Sequence, residues 1–170
     1  MAKLAETEEG RPLDALSLDL GRLAFQNRIS FQFERAVTDV TDAYIGAGVI
    51  LGPLTRPYDG VLAGDWGFDF ELGMRFFFFR AAPRGFFLGP LATVGWTFKP
   101  GTSQSRGGYS YGLGAMVGYS FFLGPLDVSI GAGGELHQEH LQDGASGTNS
   151  PAAGVLPILP LARLAVGYGF

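Results

Sequence analysis

From Trp66 to Phe78 every second residue is large and apolar, in the order Trp66, Phe68, Phe70, Leu72, Met74, Phe76 and Phe78. Gly67, Asp69, Glu71, Gly73 and Arg75 stand between them. A period of two belongs to a β-strand, whose side chains point alternately to opposite faces. A helix would scatter the same residues around its circumference. The pattern recurs along most of the chain and predicts eight strands. The first covers Leu13 to Leu23, with Leu16, Leu18 and Leu20 opposite Ser17, Asp19 and Gly21. The second runs from Arg28 to Val37, with Ile29, Phe31 and Phe33 against Ser30, Gln32 and Glu34. The third, Ala43 to Gly52, sets Ile45, Ala47, Val49 and Leu51 against Tyr44, Gly46, Gly48 and Gly52. Trp66 to Phe79 is the fourth, Phe86 to Phe98 the fifth, Tyr109 to Phe122 the sixth, Asp127 to Leu141 the seventh and Val155 to Phe170 the eighth.

The less apolar face decides between a soluble sheet and a membrane one. A face meeting water carries Lys, Glu and Thr, whereas this one carries mainly Gly, Ser, Ala and isolated charges. Such a face suits the crowded lumen of a small barrel, with the aromatic and aliphatic face turned outward to lipid. Composition agrees, because only 16% of residues are charged, against about a quarter in ordinary soluble domains, and 46% are hydrophobic. No run of apolar residues is long enough for a transmembrane helix. The expected fold class is therefore all-β, an eight-stranded antiparallel up-and-down transmembrane β-barrel. It forms a single domain over residues 13–170, after a flexible N-terminal segment at 1–12. Cysteine is absent, which leaves no disulfide or thiol chemistry. A net charge of -4 provides no basic footprint and argues against nucleic acid as a partner. "MAKLAETEEGRPLD" has no apolar segment behind a basic start, so an exported protein would have lost its signal peptide already.

An up-and-down arrangement sorts the aromatic residues into two rims. Trp66, Trp96, Tyr109 and Tyr111 gather at one end, and Phe76, Phe78, Phe86, Tyr119, Phe121, Tyr168 and Phe170 at the other, like the interfacial girdles of membrane barrels. "GPLD" and "AAPRG" are short turns, while Pro53 to Asp65, Lys99 to Gly108 and Gln142 to Gly154 are longer loops at the opposite end. Pro90 interrupts the pattern at an outward position, where its missing N–H should open the strand ladder. Pro157 and Pro160 lie near or above the loop-end rim.

The whole hairpin pattern resembles the small eight-stranded outer-membrane proteins of Gram-negative bacteria, of the OmpA transmembrane-domain, OmpX and OmpW kind. "LSLDLGRLAFQNRISFQFERAV" and "MRFFFFRAAPRGFFLGP" also resemble segments of small, poorly characterised envelope barrels. The terminal "LAVGYGF" is similar to the barrel-assembly signal of that class. The resemblance covers the chain from about Leu13 onward. It implies a bacterial outer-membrane location, contact with outer-membrane lipids, and recognition of Leu164, Val166, Tyr168 and Phe170 by the barrel-assembly machinery.

Two sets of residues carry possible chemistry. Asp19, Glu34, Asp69, Glu71, Arg75, Glu135 and Arg163 fall on the inward face. An eight-stranded barrel is about wide enough to be filled by side chains, so these seven are expected to form a polar network plugging the lumen. Unpaired charges there would be costly, which makes Arg75 and Arg163 the expected partners of the carboxylates. "ELHQEH", Glu135 to His140, holds both histidines. On a strand Glu135, His137 and Glu139 point inward and His140 outward, so the four do not converge on a metal, and the spacing is not that of helical zinc motifs. A hydrolase would need a histidine beside a serine such as Ser146 or Ser150, and no serine stands two residues from either histidine. "IGAGVILG" and "GLGAMVG" do not match the dinucleotide-binding glycine pattern. No catalytic residue, cofactor or metal site is therefore expected. The function anticipated is structural or interactive, without an open pore, and an envelope partner would be met through loops 53–65, 99–108 and 142–154. The alternatives are a lipid-modifying enzyme of the lipid A deacylase or acyltransferase type and a narrow channel for small solutes.

Overall fold

A computed structural model describes residues 13–51, 66–79, 82–99, 106–142, 149–151 and 158–170. Its strands are β1 (Asp14–Asp19), β2 (Arg28–Thr38), β3 (Thr41–Ile50), β4 (Trp66–Phe78), β5 (Gly85–Lys99), β6 (Arg106–Leu123), β7 (Leu126–Gln142), β8 (Asn149–Pro151) and β9 (Ile158–Gly169). One helical turn, α1 (Leu23–Gln26), lies between β1 and β2. Each long strand pairs antiparallel with its chain neighbour, β7 also pairs with β9, and β9 pairs with β1. The sheet thus closes into an eight-stranded antiparallel barrel without a free long edge. The three residues of β8 extend the ladder on the last residues of β7, an addition to the eight strands read from the sequence.

Closure is staggered. The pairing row from Ser110 passes through Gly95, Asp69, Gly48, Ser30, Asp19, Ala165 and Ser129, then returns to β6 at Ser120, ten residues from its start. Such a shear accompanies the tilt of strands in a closed barrel. One end, the turn end, carries the β2–β3, β4–β5 and β6–β7 connections together with Asp14 and Phe170, whose backbones bond each other. The residues of the "GPLD" turn include Gly124 with φ +64°, where a side chain would be strained. The opposite, loop end carries the α1 turn and the connections through 52–65, 100–105 and 143–157. Most of the three predicted long loops lies outside the described residues, as does the N-terminal segment 1–12.

Alternation places the apolar parity of every strand outside. Phe31, Ile45, Phe70, Leu72, Trp96, Leu113, Ile130 and Leu164 are all exposed. Among the described strand residues the outward face carries no Lys, Arg, Asp or Glu apart from Asp14 and Arg35, which pair at 3.6 Å at the turn end. Aromatic side chains mark both rims. Trp66 and Phe98 rings lie 5.1 Å apart at the loop end, and Phe78 with Phe86, and Tyr168 with Phe170, lie 6.2 and 6.5 Å apart at the turn end.

Four details differ from the sequence reading or extend it. The first strand stops at Asp19 rather than Leu23, because Gly21 packs against the backbone of β9 and Arg22 turns into the barrel. Asp42, ahead of the predicted third strand, belongs to β3 and is buried. The inward face is also less purely small and polar than expected, since Tyr44, Phe77, Phe87, Leu91, Met116 and Leu161 form a buried apolar cluster inside the barrel. At Pro90 the ladder to β4 opens, with the pairing passing from Gly73↔Leu91 to Phe76↔Leu88. The ladder from Pro90 to β6 continues unbroken through Ala115.

Candidate functional site: the charged lumen

Most charged side chains among the described strand residues collect in the barrel interior. All seven charges assigned to the inward face are buried: Asp19, Glu34, Asp69, Glu71, Arg75, Glu135 and Arg163. Arg22, Arg28, Asp42, Asp127 and His137 join them. Four guanidinium groups thus face seven carboxylates among the described residues, so cations must be shared between carboxylates.

Sharing is densest toward the turn end. Arg75 on β4 donates to Asp42 Oδ1 at 3.0 Å and Oδ2 at 2.6 Å, and also to Glu34 Oε2. Its guanidinium lies over the rings of Tyr44, Phe77 and Phe87, at 5.5, 5.6 and 5.1 Å from their centroids. Arg163 on β9 donates to Glu34 Oε1, to Gln32 Oε1 and, at 3.0 Å, to Ser129 Oγ, and its guanidinium also lies over the Tyr44 ring, 5.6 Å from the centroid. Glu34 therefore bridges both arginines. A planar guanidinium presents donors in its plane and a weakly hydrated face above it, so carboxylates and rings can enclose it together. Asp19 sits at the side of this group. It accepts from Gly21 N at 2.8 Å and Leu164 N at 3.2 Å, closing the place where β1 ends, and lies 3.7 Å from Arg163.

Toward the loop end the pairs are more separate. Arg22, carried by the turn after β1, meets Glu71 at 2.6 Å, while Tyr44 donates its hydroxyl to the other Glu71 oxygen at 2.8 Å. Arg28 lies 3.3 Å from Asp69. Glu135 Oε1 accepts from Thr93 at 2.7 Å and stands 3.0 Å from His137 Nδ1.

His137 lies on the inward face that its parity predicted, and the parity of Arg28, Asp42 and Asp127 could have assigned each of them to the lumen too, since each stands two residues from an inward neighbour. Arg22 carried no such signal. Continued alternation would have put it outside with Leu18 and Leu20, and only the turn at Gly21 reverses it.

Of the remaining candidates, Leu164, Val166, Tyr168 and Phe170 all point outward and are exposed. His140 pairs through its backbone with Tyr109 and Pro151, Ser150 lies in β8, and Ser146 falls outside the described residues. His137 stands 3.0 Å from Glu135 Oε1 and is buried on the inward face of β7. No group of three or more His, Cys, Asp or Glu side chains among the described residues is placed to hold a metal ion. No protein-family model, curated protein or solved structure matches this chain.

Proposed function

We propose that this barrel spans a bacterial outer membrane, with the turn end in the periplasm and the loop end outside, and serves a structural or interaction role without conducting solutes. The observation that carries the reading is inverted polarity: charges are collected inside, and a continuous apolar wall bounded by two aromatic rims faces out. In water so large an exposed apolar surface would be a liability. In a bilayer it is what a spanning barrel requires, since every strand is paired and the lipid meets no open edge. The resemblance to small Gram-negative outer-membrane barrels supports the location. It also supports recognition of Leu164, Val166, Tyr168 and Phe170 by the assembly machinery.

Absence of conduction is favoured by the Arg75 group, whose guanidinium, carboxylates and rings span the interior. Interaction would then fall to the outer-membrane lipids around the wall and to an envelope partner at loops 53–65, 99–108 and 142–154. The test is refolding into detergent and into lipid vesicles. The protein should give a β-rich spectrum, migrate faster on a gel unheated than after boiling, and become resistant to protease when reconstituted. Good solubility of the folded chain without detergent would refute the membrane reading.

A further inference from the structure

The two halves of the lumen are filled differently: the band around Arg75 leaves Nη1 of Arg75, Nε2 of Gln32, Oδ2 of Asp19 and the Ser17 hydroxyl without hydrogen-bond partners among the described residues but is packed with apolar side chains, whereas the loop-end half is not. Around Arg75 the interior is closed by side chains that contact one another: Tyr44, Phe77, Phe87 and Met116 belong to the apolar cluster, and Ser129, fully buried, accepts from both Arg163 and Ser120 at 3.0 Å. Toward the loop end, buried polar atoms face one another without hydrogen-bond partners among the described residues. The donors are Nε and Nη1 of Arg22 and Nε of Arg28. The acceptors are Oδ1 of Asp69, Oε2 of Glu135 and the Ser30 hydroxyl. These residues come from the α1 turn, β2, β4 and β7, yet they form one group. Arg28 lies against Asp69, Asp69 and Ser30 flank the bare backbone of Gly48, and Arg22 lies against Glu71.

Buried polar groups left unsatisfied are costly, and native proteins rarely tolerate several together. An anion would satisfy the arginines and be repelled by three carboxylates. A bare cation would meet the reverse. Water fits the set, because one molecule both donates and accepts and bridges about three polar groups at a buried site. We infer that the loop-end half of the lumen is a hydrated chamber reached from the loop end, and that the band around Arg75 seals it from the turn end. Asp127, whose carboxylate is also unpartnered, lies beyond that band toward the turn end and is no part of the chamber. The inference concerns the barrel itself and deepens the non-conducting reading by locating its seal, while insertion into a membrane is tested separately by the refolding experiment.

The chain contains no cysteine, so one can be introduced at chosen depths against a blank background. Ser110→Cys near the loop-end mouth, Ser30→Cys among the unpartnered atoms and Ser129→Cys in the seal each replace a hydroxyl with a thiol of similar shape. The probe is silver ion in chloride-free detergent buffer, small enough to follow water. After a timed exposure and removal of excess ion, the thiols still free are counted under denaturing conditions. Heat-dependent gel mobility reports whether each variant is folded, and Ser120→Cys replaces Ser129→Cys if the latter is not. Cysteines at 110 and 30 should be captured readily, and the seal cysteine at least about tenfold more slowly, because reaching it requires an opening of the structure. Equal capture at all three depths would overturn the inference by showing a lumen wet from end to end. Protection of the cysteine at 30 in a folded variant would overturn it by showing the outer half to be dry.

Discussion

Gly73 has Tyr44 directly opposite it on β3, and a Cβ on that glycine would overlap the Tyr44 ring. Phe87 lies over Gly118 in the same way, and the Glu135 carboxylate occupies the space beside Gly112. Inward glycines are thus the complement of inward bulk: a narrow cylinder admits a ring or a charged side chain only where a neighbouring strand contributes no side chain. This explains why the inward face of the sequence mixes glycine with large residues instead of averaging to medium ones. Gly73→Ala should cost about 1 to 3 kcal/mol by overpacking around Tyr44. Gly134→Ala should have a much smaller effect, since a Cβ there meets the Ile158 side chain at 3.3 Å and little else. Denaturant unfolding of the two variants in one detergent checks the contrast. That Gly73, Gly112 and Gly118 face the lumen was readable from parity. Which side chain each accommodates was not, because that depends on the register between strands, and register leaves no mark on a single strand's alternation.

Strand β9 shows how far an element's own pattern reaches. Its alternation correctly separated Arg163 from Leu164, and the two faces predict opposite responses to mutation. Arg163→Met removes a buried donor to Glu34, Gln32 and Ser129 and leaves a buried carboxylate short of a partner, so the loss should be on the order of 3 to 5 kcal/mol. Leu164→Met keeps an outward apolar side chain of similar volume and should cost less than about 1.5 kcal/mol. Equal midpoints in a denaturant titration would mean that Arg163 is solvated where it stands. β1 shows the limit. "LSLDLGRL" keeps its period of two through Leu20, yet the strand ends at Asp19 because the Asp19 carboxylate bonds Gly21 N and Leu164 N, and Gly21 lies close against β9. What ends β1 is a contact with the other end of the chain, about 145 residues away along it. No local signal could have announced it, nor the inward turn of Arg22 that follows.

At the scale of the molecule the legible property was polarity. The parity of eight segments identified an outside and an inside, and the barrel built from them has that outside and inside. The apolar cluster around Arg75 was less visible, because Phe77 and Phe87 stand in runs of phenylalanine, "FFFF" and "FF", where alternation cannot be seen by residue type. The proposed assembly signal belongs to this scale because it concerns how the cylinder enters a membrane. Phe170→Ser should lower the amount of barrel recovered from cell envelopes severalfold while leaving the detergent refolding yield nearly unchanged. Equal recovery of variant and parent from cells would reduce Phe170 to a packing partner of Tyr168.

The ten-residue stagger on which the ring closes has a consequence for how such a wall can change over evolutionary time. Ten is even, so a walk around the cylinder that begins on an inward residue ends on an inward residue. One extra residue in the middle of a strand would exchange faces for everything beyond it. In an open sheet the error could run out at a free edge, but here both neighbours of every long strand are already committed. Growth of the wall is therefore constrained: residues enter in pairs or in whole hairpins, and single insertions are confined to the connections at the two ends and to bulges such as the one between Ala36 and Thr38 near the turn end. A chain of this kind can diversify its loops one residue at a time while its cylinder keeps the same count.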